Sequence, residues 1–336
     1  MKTNFSRRQF LGAAATTVVA AGFSSMVGRV AGADAVAGGW AWQRLNKALI
    51  TKMPTDEYCE RLAKAGFDGM EVTRWEGSVE EAQKTRLMVE KHGLRIHSVM
   101  RGWANTNSPD KEKVDADIES GKTALRAAAA FGASTILLVP CRISGAAMPD
   151  AWDFDIDFDP KTLVVKTVAA GDNAPYADYI KAQNYATEAS IRAVEAIIPT
   201  AAKEGVIIAL ENVWNNLWCT PEFFAAFVKS FHNPWVKAYF DLGNHTKYSR
   251  CEEWLKALGR SIVKLHIKDF AVSEVKGKRG GGPGEWAPVG GGTIDWKSVR
   301  KTLEEICYSG WITVEPAKGN LTDDEHSKFL DELFGA

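Results

Sequence analysis

Cysteine is scarce and scattered in this 336-residue chain. Cys59, Cys141, Cys219, Cys251 and Cys307 make no C-x-x-C pair and no zinc-finger spacing. Their odd number leaves at least one unpaired in a monomer, and small buried side chains are the simpler reading. No G-x-G-x-x-G turn follows the first apolar run, which disfavours a dinucleotide fold. No apolar run reaches the ~20 residues that span a bilayer, so no stable membrane anchor is expected. Charge of one sign is also missing: 41 basic side chains face 42 acidic ones, a net of −1. The broad basic field that nucleic-acid binders use to neutralise phosphates is therefore absent. What is present is ordinary globular material, 46% hydrophobic and 25% charged, ample for one large core.

The first 33 residues read as a targeting segment. They hold Lys2, Arg7, Arg8 and Arg29 and no acid. Without those four basic residues the chain has 37 against 42 acidic, a net of −5. Ser6-Arg7-Arg8-Gln9-Phe10-Leu11 resembles the twin-arginine export signal, and an apolar stretch from Leu11 to Phe23 follows. Ala31-Gly32-Ala33 fits a small-x-small cleavage site, with Ala33-Asp34-Ala35 and Ala35-Val36-Ala37 in competition. The expectation is an exported, periplasmic protein whose domain runs over 34–336.

From Leu45 onward, short β-branched runs alternate with amphipathic stretches. Strands are predicted at Leu45–Ile50, Phe67–Thr73, Leu94–Met100 and Ser134–Val139, with helices between them at Asp56–Lys64, Val79–Lys91 and Lys111–Phe131. Residues 141–177 are long for a strand-to-helix connection. Their alternating runs WDFDIDF and TLVVKTV, parted by Asp159-Pro160, read as an inserted hairpin on the loop face. Its role stays open between a lid and a contact in a homo-oligomer. A helix at Tyr179–Lys203 leads into four more strands, with helices at Glu222–Phe231, Glu252–Leu258, Trp296–Ile306 and Asp323–Leu333. Eight such units without a change of pattern predict an α/β fold, a single-domain (β/α)8 barrel with the hairpin inserted after strand 4. A doubly wound open sheet is the runner-up.

The last four strands each end in a residue that can bind a cation. VIIALEN carries Glu211, VKAYFDLGN carries Asp241, IVKLHIKD carries His266 and WITVEP carries Glu315. Barrel enzymes place their sites at the carboxyl ends of the strands. Any one of these acids alone is as well explained by a salt bridge or a helix cap. Four together suggest one divalent metal, because unpaired buried charges are costly. Carboxylates with one imidazole suit Mn²⁺, Mg²⁺ or Co²⁺, and Zn²⁺ would also fit.

Here the motifs reach a family. AGFDGMEV, ALENVWN, FDLGN, KLHIKD, VGGGTIDW and ITVEP, in this order, resemble the xylose-isomerase-like barrel superfamily. That superfamily holds sugar isomerases and epimerases and also apurinic endonucleases. The resemblance covers the chain from about Leu45 to its carboxyl terminus. It implies one divalent metal, Mn²⁺ first, between Glu211, Asp241, His266 and Glu315. It further implies Glu211 and Glu315 as the acid/base pair on a sugar substrate. Asn244 stands where the family's ketose epimerases carry a substrate-contacting His, with His245 one residue later. Lys268 and Asp269 follow the metal His where those epimerases carry an Arg. Six histidines are few for the three-zinc cluster of the endonucleases, so no nucleic-acid partner is expected.

The implied chemistry is proton removal next to a sugar carbonyl, through an enediolate that a metal stabilises. An isomerase or epimerase acting on a free sugar or glycoside is the first reading. A lyase acting on a 3-keto-glycoside is the second, and a non-catalytic carbohydrate-binding barrel the third. Other residues are candidates for substrate. Glu71, ending strand two, reads as a ligand for a sugar hydroxyl or as an ion pair within the barrel. His97 reads as a group in the barrel mouth or as a core histidine. Arg101 and Trp103 are expected on the loop that follows it. Lys268 reads as a group polarising a carbonyl or as a partner of Asp269. Trp75, Trp214 and Trp218 offer indole faces near strand ends. The glycine-rich Lys276–Gly292 reads as a mobile lid rather than a phosphate cradle.

Overall fold

The computed structural model describes residues 44–319 and 321–335. The export signal expected over 1–33 lies outside them. In chain order the elements are β1 (Asn46–Thr51), α1 (Asp56–Lys64), β2 (Gly69–Val72), α2 (Val79–Lys91), β3 (Arg95–Trp103), α3 (Lys111–Phe131), β4 (Thr135–Val139), β5 (Asp157–Phe158), β6 (Val165–Thr167) and α4 (Ala177–Glu204). They continue with β7 (Ile207–Glu211), α5 (Pro221–Ser230), β8 (Val236–Asp241), α6 (Cys251–Leu258), β9 (Ile262–Ile267), β10 (Asp269–Val272), β11 (Gly284–Ala287), α7 (Trp296–Glu305), β12 (Trp311–Val314) and α8 (Asp323–Phe334). Strands β1, β2, β3, β4, β7, β8, β9 and β12 close into one parallel barrel, with β1 hydrogen-bonded to β12. Helices connect the strands, so the fold is the (β/α)8 barrel expected from the alternation.

Local sequence accounts for the helix limits. Ser78 with Glu81 and Thr322 with Glu325 form capping boxes at the starts of α2 and α8. Gly132 and Gly205 end α3 and α4 in the left-handed conformation, which glycine adopts without a Cβ clash. The apolar faces of the helices pack on the outside of the barrel and form the large core.

Within each strand, side chains alternate between that outer core and the barrel interior. Ile136 and Leu138 belong to the outer core, whereas Leu137, Val139, Ala209 and Tyr239 form a small separate cluster. The same alternation sets the direction of later residues. Glu211 follows Ala209 by two positions, Asp241 follows Tyr239, His266 follows Lys264, and Glu315 follows Thr313. All four therefore point inward at the carboxyl end of the barrel.

Among the described residues, two antiparallel hairpins stand outside the barrel. One pairs β5 with β6 in the insertion after β4, as the alternating runs predict. The other pairs β10 with β11 just after β9, and β11 lies inside Lys276–Gly292, the stretch expected to be a lid. Asp269 anchors this second hairpin. Its Oδ2 accepts from the Gly290 and Gly292 backbone N–H groups and from Trp296 Nε1. A Cβ at Gly277 would collide with the Trp152 carbonyl, so the two excursions touch there. Strand β3 runs on to Trp103, which places Arg101 and Trp103 in the strand rather than on a loop. All five cysteines are free, and four of them are buried.

Candidate metal centre

Glu211, Asp241, His266 and Glu315 converge. One ligand-type atom from each lies within 4.8 Å of all the others. His266 Nδ1 is the hub. It stands 3.0 Å from Glu315 Oε2, 3.3 Å from Glu211 Oε1 and 3.8 Å from Asp241 Oδ2. Register explains the meeting, since β8 and β9 pair Asp241 with His266 and β9 and β12 pair His266 with Thr313. Glu315 alone of the four reaches solvent appreciably, with a side chain 25% exposed.

Backbone and amide groups hold Asp241 in place. Its Oδ1 accepts from the Asn244 backbone N–H at 2.7 Å. Its own backbone N–H donates to Asn212 Oδ1, and Asn212 Nδ2 returns a bond to the Asp241 carbonyl. Asn244 Nδ2 donates to the Asn212 carbonyl. Asn212 lies inside the ALEN motif, yet nothing in the sequence marks it as the brace of a residue on the next strand.

The cluster has too much negative charge for its own donors. Asp241 Oδ2 and Glu315 Oε2 are buried without a hydrogen-bond donor. Lys268 Nζ lies 3.2 Å and 2.8 Å from these two oxygens, off the hydrogen-bonding direction, and balances part of the charge. Burial raises the Glu211 carboxyl to about 7. Burial likewise raises Asp241, with Lys268 opposing it. For Glu315 burial acts upward, but His266 and Lys268 together hold it well below the usual range. Burial disfavours the His266 imidazolium, but Glu71 and Glu315 override this and raise its pKa well above the ordinary value. Two donor-less carboxylate oxygens, a third carboxylate and an imidazole nitrogen aimed at one point form an oxygen-rich donor set. Such a set fits a divalent cation.

The remaining candidates separate. Lys268 does not pair with Asp269; it faces the cluster and the ring of Trp286, with Nζ 5.2 Å from the ring centroid. Asn244 is buried, with its amide nitrogen committed to Asn212 and only Oδ1 toward Lys268, at 3.4 Å. His245 is a core residue packed among Phe224, Tyr248 and Trp254, with Nε2 3.2 Å from the Val213 carbonyl.

His97 is not in the barrel mouth. It is buried deeper, stacked on Trp311 at 4.4 Å, with Nε2 2.9 Å from Thr313 Oγ1. Trp311 opens β12, so this layer lies toward the amino ends of the strands. Glu71 holds no outward-facing position either: it is fully buried and bonded to His266 and Ser98. Arg101 is tied to Asp117 and to the Trp103 carbonyl.

The tryptophan candidates divide in the same way. Trp103 is 42% exposed, with the Arg142 guanidinium 4.1 Å above its ring. Trp218 is core, stacked on Phe227, and Trp75 is buried. Trp214 is half-buried and stacks on Trp286 at 4.7 Å, with Lys247 3.9 Å from the Trp214 ring centroid. Phe270 meets both indoles edge-on. Sequence reasoning missed Trp286, because a tryptophan in a glycine-rich loop carries no signal of its tertiary partner.

Comparison with known proteins now bears on the chain. A family model described as xylose isomerase-like TIM barrel matches residues 59–333. The chain belongs to the xylose isomerase-like TIM barrel family. Over 128 residues it is 33% identical to the inosose dehydratase of Glaesserella parasuis serovar 5 (strain SH0165), a stretch covering 34% of this chain and 42% of that protein. The chain thus spans less than half the length of this curated relative. Among solved structures, 3-keto-D-glucoside 4-epimerase from E. coli superposes with a TM-score of 0.61 at 13% identity, covering 87% of this chain and 100% of the other. A D-tagatose 3-epimerase-like protein gives 0.61 at 19% identity, covering 86% and 98%. At these identities the structural likeness speaks for the fold.

Proposed function

We propose that this protein is a divalent-metal-dependent enzyme that moves a proton next to the carbonyl of a sugar or glycoside, as an isomerase or epimerase. The observation that carries this reading is the convergence of Glu211, Asp241, His266 and Glu315 at the barrel mouth with two carboxylate oxygens lacking donors. These four residues would hold the ion, Mn²⁺ first, with Mg²⁺, Co²⁺ and Zn²⁺ as alternatives. When bound, a divalent cation supplies Lewis acidity to the carbonyl and neighbouring hydroxyl oxygens of the substrate.

The protein's own groups do the rest. Glu211 and Glu315 enter from the two outer members of four consecutive barrel strands, so they flank Asp241 and His266. One carboxylate takes the proton from the substrate carbon and the other returns one. Glu315 reaches solvent and is assigned the base. Lys268 offers an ammonium donor to a substrate oxygen from beside Glu315. The half-buried indole of Trp286, next to Lys268, offers an apolar face to the sugar ring, and Trp103 a more distant one.

One observation favours a second reaction. The Asn244 amide nitrogen is consumed by Asn212 and His245 is core, so neither supplies the imidazole that grips an epimerase substrate. Elimination from a 3-keto-glycoside needs the same metal and base without that grip. A partial relative named as a dehydratase agrees with it. Export through the twin-arginine route is part of the proposal and is supported by Ser6–Leu11 alone.

Proton exchange tests the reading. The protein with Mn²⁺ is incubated in D₂O with free ketoses, aldoses and 3-keto-glycosides and followed by NMR. Deuterium entering next to a carbonyl, with an isomer or epimer formed, supports the first reaction. Release of an aglycone with an unsaturated keto sugar supports the second. Glu315→Gln is expected to lose exchange by at least ~100-fold, the scale of a general base. Exchange that survives this substitution would overturn the assignment.

A further inference from the structure

Glu71 lies in AGFDGMEV, far in sequence from every candidate ligand, and it meets the metal centre from behind. Its Oε2 stands 2.7 Å from His266 Nε2. Its Oε1 accepts a hydrogen bond from Ser98 Oγ at 2.6 Å. Glu71, Ser98 and His266 are all fully buried. The two nitrogens of an imidazole lie on opposite edges of the ring. Glu71 therefore binds the edge turned away from Glu211, Asp241 and Glu315, which all face Nδ1.

A local irregularity makes this contact. Along β2 and β3 the register runs Gly69 to Arg95 and Met70 to Ile96, then skips His97 and resumes Glu71 to Ser98. The extra residue is a β-bulge, and bulges re-aim side chains. Without it Glu71 would stand opposite His97, and Ser98 would be out of step with the carboxylate. With it, Ser98 meets Glu71, while His97 packs lower on Trp311. Tyr239 leans on the His266 ring at 4.4 Å and restricts its tilt.

We propose that Glu71 is a positioning residue: it holds the Nε2 proton of His266, so that the ring presents the Nδ1 lone pair to a divalent cation. This rests on the metal reading proposed above and goes beyond it. A carboxylate behind a ligating histidine sets ring orientation and raises its basicity. Ser98 in turn fixes the carboxylate. The support reaches across the barrel interior, because β2 and β3 lie on the other side of the ring of strands from β8 and β9. Of the two readings the sequence offered for Glu71, its contacts with His266 and Ser98 match the ion pair within the barrel.

The test is the affinity of purified protein for Mn²⁺, measured by calorimetry on wild type, Glu71→Gln, Glu71→Leu and Ser98→Ala. Gln keeps an acceptor for Nε2–H and loses the charge, whereas Leu removes both. The expected order of affinity is wild type, then Gln, then Leu, with the Leu variant weaker by about 10- to 100-fold. Nitrogen-15 NMR of the Zn²⁺-loaded wild type should show His266 with Nδ1 bound and Nε2 protonated. A purely structural role for Glu71 would lower the melting temperature and leave this ladder flat. Folded Glu71→Gln with affinity within twofold of wild type, together with a metal-bound Nε2, would overturn the inference; this Gln variant carries the test if Leu does not fold. Wild type that binds no divalent cation would overturn the metal reading itself, a different result from a flat ladder.

Discussion

At the scale of single residues, histidine takes three unrelated roles within a few strands. His266 is a hub ringed by carboxylates, His97 packs flat on an indole, and His245 fills a core position. Surroundings alone decide which. His245 gives the clearest pH consequence. Burial lowers its pKa from 6.5 to about 3, so the native state keeps it neutral where the unfolded chain is protonated. Between about 6.5 and about 3 the unfolded state therefore binds the extra proton. The stability due to this group is intact above pH 6.5 and is lost as pH falls through that window. His245→Gln removes the effect. Between pH 7 and pH 4.5, wild type is expected to lose about 2–3 kcal/mol more stability than the variant. Urea unfolding of both proteins at the two pH values checks this, and equal losses would contradict it.

At the scale of elements, the two hairpins show how a barrel is adapted without changing it. Both leave from the carboxyl ends of strands, where loops carry function. The β10–β11 hairpin sets Phe270 opposite Trp286 and lays that indole on Trp214. Trp286→Ala leaves the barrel strands untouched but removes the stacked wall beside Lys268. The expected outcome is sugar affinity weaker by about tenfold, the scale of one lost aromatic contact, with Mn²⁺ affinity unchanged. Titrations with sugar and with metal on the same variant separate the two. A parallel loss of metal binding would mean that the hairpin supports the cation cluster instead. In the sequence, only half of this arrangement was legible. The alternating WDFDIDF and TLVVKTV runs announce a hairpin through their period of two. The second hairpin hides among glycines, because a four-residue strand paired only with its neighbour needs no apolar alternation.

At the scale of the whole molecule, one closed parallel sheet gathers residues from distant parts of the chain into one mouth. Six barrel strands contribute to the cluster and its supports: β2, β3, β7, β8, β9 and β12. The amino-terminal segment adds a prediction at this scale. Replacing Arg7 and Arg8 together by Lys is expected to retain the protein inside the cell, and the unchanged sequence is expected to be exported. Fractionation of cells expressing each form decides it, and export without the arginine pair would remove the twin-arginine reading. Among the described residues, no helix is long and apolar enough to cross a membrane.

The sequence by itself determined the alternation of strands and helices, and with it the barrel. It also determined that an acid or histidine ends each of the last four strands. Short β-branched runs, capping residues and glycine stops are local signals, and local physics reads them. Only the tertiary structure decided which way each side chain points. Strands buried on both faces lack polar alternation, so their inward parity cannot be read from the chain. A bulge of one residue turned Glu71 and Ser98 toward His266 and sent His97 below. That choice depends on pairing between strands, which no single stretch of sequence contains.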